Sequence, residues 1–104
     1  LSYPPTQYKA WADGIKGAFD PYGTFGAGTD EDTIYNILRK LKNNDDWLQL
    51  QKDYGVRDYT DYTYNPFGTV TKINLVESLN NELSGGEKNK VNEILKSKNI
   101  TYRI

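Results

Sequence analysis

The chain has 104 residues, 13 basic and 14 acidic, a formal net charge of −1, and neither histidine nor cysteine. That length supports one domain with a modest core, and nine tyrosines and two tryptophans supply large rings to fill it. The missing residue types exclude disulfides, zinc–thiolate sites, histidine-ligated metals and the Ser–His and Cys–His nucleophile systems, and the balanced charge gives no global field to draw in nucleic acid. Residues 1–5 read as an extended arm held open by Pro4 and Pro5. From Thr6, the expected cap, Tyr8, Trp11, Ala12, Ile15, Ala18 and Phe19 recur at steps of three and four, predicting a first helix that Asp20-Pro21-Tyr22-Gly23 ends.

A glycine-opened turn, Gly26-Ala27-Gly28, leads into a second helix from Asp30, whose stripe is Ile34, Ile37, Leu38 and Leu41. Thr29 is its expected N-cap and Asp32 the answering acid of a capping box. Asp30, Glu31 and Asp32 crowd the first turn and Arg39, Lys40 and Lys42 the last, the order that suits the helix dipole. This basic cluster, like Lys88 and Lys90, reads as a solvated helix face. After a turn at Asn43-Asn44-Asp45, a third helix over about 46–54 offers Trp47, Leu48, Leu50 and Tyr54 to the core, and Gly55 ends it.

Residues 57–74 read differently, as a long tyrosine-rich loop broken by Asn65-Pro66 and Gly68, with room for a short hairpin around Pro66-Phe67-Gly68. Its Tyr59, Tyr62, Tyr64 and Phe67 either pack down on the helices or face a partner, such as a surface polymer or another protein subunit. A fourth helix over about 75–83 carries Val76, Leu79 and Leu83 on one face. Ser84 and Glu87 form a second capping box, opening a fifth helix to about Lys98 with Val91, Ile94 and Leu95 inward. The tail 99–104 alternates Ile100, Tyr102 and Ile104, as a segment lying extended across the core would. The expected organisation is therefore an arm (1–5), an all-α five-helix domain (6–98, with 57–74 as an inserted loop) and a tail (99–104). No apolar run approaches a membrane span and no signal peptide is visible. Lacking an initiator Met, the chain reads as processed, trimmed or excised, which leaves room for a removed signal.

Taken alone, outward carbonyls of a glycine turn beside a carboxylate suit a hard cation such as Ca²⁺, while the same glycines also serve a helix–helix turn with no ion. The order of three blocks adds to this: Gly26-Ala27-Gly28-Thr29-Asp30-Glu31 before Ile34 to Leu38, then Tyr54-Gly55 with Arg57-Asp58, then Asn81-Glu82-Leu83-Ser84-Gly85. From about Ala10 to Leu95 the chain resembles one annexin repeat, with a longer loop between Asp58 and Leu75 than that family has and with Val56 splitting the usual Gly-Arg pair. The resemblance implies a five-helix annexin-type bundle binding calcium through the carbonyls of Thr24, Gly26 and Gly28 and the carboxylate of Glu82, with Thr29 and Glu31 as an accessory site. It also implies phospholipid as a partner, although the family gains avidity from several repeats. The functional expectation is a non-enzymatic binding or structural module with a weak calcium site. Its alternatives are a metal-free interaction domain of a larger assembly, in a phage particle or cell-surface machine, and a small lysozyme-like hydrolase. An extracellular or virion setting accompanies the assembly reading.

Overall fold

The computed structural model describes residues 1–21 and 28–104. Among them the chain runs α1 (Pro5–Ala18), α2 (Glu31–Lys40), α3 (Asn44–Tyr54), β1 (Arg57–Asp61), β2 (Thr69–Ile73), α4 (Leu75–Glu82) and α5 (Gly85–Ser97). The fold is helix-dominated but not all-α. The stretch expected as a long loop is an antiparallel hairpin, with Arg57 opposite Ile73, Tyr59 opposite Thr71 and Asp61 opposite Thr69. Its strands are rich in the β-branched and aromatic residues that suit a pleated surface, Thr60, Thr69, Val70, Thr71, Ile73 and Tyr59. At the turn, the Gly68 N–H donates to the Asn65 carbonyl (2.9 Å) and the Phe67 N–H to the Asn65 side chain (3.0 Å). Gly68 sits at φ +83°, a conformation that favours glycine.

The helix starts follow local chemistry, in two places not as expected. α1 begins at Pro5 with no side-chain cap, and Thr6 is not its cap. Proline at the first helical position has its φ preset and lacks the N–H that a cap would satisfy. α2 is capped by Asp30, which accepts from the Thr33 N–H (3.2 Å) and hydroxyl (2.6 Å), so the expected Thr29–Asp32 box is not formed. The Thr29 hydroxyl is committed elsewhere, to Glu82. Asn43 and Asn74 cap α3 and α4, and Ser84 with Glu87 forms the expected reciprocal box on α5.

The helices enclose one core. Tyr8, Trp11 and Ile15 of α1, Ile34 and Leu38 of α2, Trp47 and Leu50 of α3, Leu75 and Leu79 of α4, and Val91, Ile94 and Leu95 of α5 are all buried. Leu48, expected inward, is exposed, because α3 turns Trp47, Leu50 and Tyr54 to the core and Leu48 lies off that stripe. In the tail Ile100 is buried and Ile104 packs against the core, while Tyr102 stays exposed. The arm is pinned: the Tyr3 ring meets Tyr8 and Trp11 edge-on, and its hydroxyl donates to the Lys40 carbonyl (2.6 Å).

Beneath the arm lies a fully buried carboxylate, Asp46. It accepts from the Tyr8 hydroxyl (2.6 Å), the Ser2 N–H (3.1 Å) and the Lys42 N–H (2.8 Å), tying the arm, α1 and the α2–α3 turn to α3. Burial pushes its carboxyl up, but the hydrogen bonds from Tyr8, Ser2 and Lys42 outweigh that and hold it below the ordinary aspartate value. Among the described residues, no helix is long and apolar enough to cross a membrane.

Candidate functional site

Glu82, the last residue of α4, is where three separate segments meet. One carboxylate oxygen accepts from the Thr29 hydroxyl, 53 positions away in the chain. The other accepts from the Tyr59 hydroxyl of β1 at 2.7 Å. Gly28, beside Thr29, is exposed and adopts φ +85°, so the backbone makes a glycine-dependent bend next to this carboxylate. Burial, reinforced by the bond to the Glu82 carboxylate, drives the Tyr59 phenol well above the ordinary tyrosine value. The phenol therefore stays protonated and donates to Glu82 across the physiological range.

A polar cleft of about 310 Å³ opens against this group, lined by Lys16 of α1, Phe19 just past its end, Tyr59 and Asp61 of β1, Tyr62, and Glu82. Lys16 donates its ammonium to the Asp58 carbonyl and so braces the hairpin against α1. Asp61 accepts from the Thr63 hydroxyl (2.6 Å) and N–H (2.8 Å), and these bonds hold its carboxyl below the usual range.

The expected metal ligands are placed as follows. Thr29 and Glu82 are in contact, with Gly28 next to Thr29 in the chain, whereas Thr24 and Gly26 lie outside the described residues. The Glu31 side chain is engaged with Glu87 at the start of α5. The bond from its own backbone lowers its carboxyl, but burial and the Glu87 carboxylate prevail and raise it. Among the described residues no group of three or more acidic side chains is placed to hold a metal ion.

The four expected partner-binding aromatics divide. Tyr59 turns to Glu82 and Tyr62 is half-buried at the cleft, while Tyr64 (96% exposed) and Phe67 (87%) stand in solvent at the hairpin tip beside Val70 (62%). Sequence spacing left both placements open, and the strand boundary decides them: Tyr59 lies within β1, whereas Tyr64 and Phe67 belong to the turn. Asp61 and Lys16 went unnoticed as cleft residues, since no local pattern places a helix lysine beside a strand that starts 41 positions later.

No family model, curated protein or solved structure matches the chain.

Proposed function

We propose that this chain is a non-enzymatic binding module that takes up a calcium ion weakly where the Gly28–Thr29 segment meets Glu82. The carrying observation is the contact between Thr29 and Glu82, which sets a carboxylate against a glycine bend from a distant part of the chain. The resemblance of the three sequence blocks to an annexin repeat points the same way. The donors at hand are oxygens only, from the Glu82 carboxylate, the Gly28 carbonyl and the Thr29 hydroxyl, the class that suits hard cations. With one carboxylate, affinity falls near the weak end of the known range, about 10⁻⁴–10⁻³ M. A bound ion would supply a positive bridge to anionic oxygens of a partner, a phospholipid headgroup included.

Thermal melts of wild type and Glu82→Gln, with and without millimolar Ca²⁺, test the reading. Calcium at about 100 times its Kd stabilises the wild type by about 2.7 kcal/mol, and the substitution removes most of that gain. Without calcium, Glu82→Gln costs about 1 kcal/mol, because one charge-assisted acceptor of two hydroxyls is replaced by an amide. A wild type whose melting temperature ignores calcium refutes the proposal.

A second reading is favoured by the hairpin tip, where Tyr64, Phe67 and Val70 stand exposed on a braced two-stranded arm. This is the metal-free interaction domain of a larger assembly, with the tip touching a neighbouring protein subunit or a surface polymer.

A further inference from the structure

We infer that Tyr59 gates the cation site: its hydroxyl holds Glu82 in competition with a divalent ion, so docking of the hairpin and binding of the cation oppose each other. The gate presupposes the calcium reading of Glu82. Both carboxylate oxygens already take a hydroxyl proton, one from Thr29 and one from Tyr59. Calcium gains most from a carboxylate when both oxygens turn to the ion, and each hydroxyl bond withdraws electron density from that encounter.

The two hydroxyls are not equivalent. Thr29 sits beside the proposed ion and can turn its proton away while its oxygen stays in place. The Tyr59 oxygen is fixed at the end of a ring, so releasing Glu82 requires the ring to swing, and β1, which carries it, loses that tether to α4. Among the described residues, the side-chain hydrogen bonds that tie the hairpin to the helices sit at its base and at Tyr59. Arg57 anchors its base, through Asp13 (2.9 Å) and the Tyr54 carbonyl (2.9 Å), and Lys16 grips Asp58. Farther out, the bonds of Asp61 and Asn65 run to Thr63, Phe67 and Gly68, inside the hairpin itself. Among the described residues Tyr59 thus makes the outermost side-chain hydrogen bond from the hairpin to α4, and its release loosens the arm that carries Tyr64 and Phe67. Reciprocity requires that whatever docking takes from cation affinity, the cation takes from docking.

Calorimetric titration of Ca²⁺ into wild type and Tyr59→Phe, with amide hydrogen exchange of residues 57–73 in wild type with and without Ca²⁺, tests the gate. Tyr59→Phe keeps the ring and removes the competing proton, so its calcium affinity rises about tenfold, equivalent to about 1.4 kcal/mol. In wild type, calcium speeds exchange across β1 and β2, a readout that needs no variant. Binding detected only in Tyr59→Phe also supports the gate. Equal or weaker affinity in Tyr59→Phe, or hairpin exchange indifferent to bound calcium, overturns the gate and leaves the calcium reading standing. Absence of binding by both proteins overturns the calcium reading and the gate together.

Discussion

Replacing Asp46 with alanine removes the acceptor on which the arm, α1 and the α2–α3 turn converge. Three donors lose their partner: the buried Tyr8 hydroxyl and the N–H groups of Ser2 and Lys42. Tyr8 is fully buried, so its hydroxyl carries the whole desolvation cost of an unmade bond, about 1–3 kcal/mol. Ser2 and Lys42 lie nearer solvent and recover water, adding about 1 kcal/mol between them. The expected loss for Asp46→Ala is therefore about 2–4 kcal/mol, a large share of the 5–15 kcal/mol typical of a domain. Urea unfolding followed by tryptophan fluorescence measures it, because Trp11 and Trp47 are both in the core. The same carboxyl gives the pH dependence. Its folded value lies below its unfolded one, so its contribution is fully present above the ordinary aspartate range and is lost as pH falls through the folded value. Asp46→Ala should therefore flatten the acid limb of the stability curve. A loss well under 1 kcal/mol with an unchanged acid limb would refute the view that this carboxylate joins the elements.

Two further outcomes follow from packing and backbone geometry. Leu38→Ala, at a fully buried position on α2, should cost about 2–5 kcal/mol in the same urea assay. Gly68→Ala should loosen the hairpin while leaving the far-UV helical signal intact. Its φ of +83° disfavours a side chain and an added Cβ would run into the Thr60 methyl, so amide exchange of 57–61 and 69–73 should accelerate while that of α1 and α2 does not.

The helices were legible because each carries its own instruction. The stripe Ile34, Ile37, Leu38, Leu41 and the Ser84–Glu87 box are local patterns, and local patterns survive into the fold. The hairpin was harder to read, because its strands do not alternate between a buried and a solvated face. Thr69, Val70, Thr71 and Lys72 are all exposed, so β2 has no apolar side to announce it, only its β-branched composition. The cap of α2 was assigned to Thr29 when Asp30 was equally able to serve. The competing partner that settled the matter, Glu82, lies 53 positions away. Asp46 escaped notice for the same reason, since its partner Tyr8 is 38 positions distant.

Asp46 and Glu82 use one device to different ends. Each is a carboxylate that gathers hydrogen-bond donors from remote segments. Asp46 is sealed from water, so losing a partner there leaves a buried polar group unmade. Glu82 is half-buried and borders an open cleft, so water or an ion can replace a departing hydroxyl at modest cost. Exposure, rather than residue type or bond count, is what makes Glu82 the carboxylate able to exchange partners. The proposed cation site, which rests on such exchange, therefore fits the end of α4 and not the carboxylate beneath the arm.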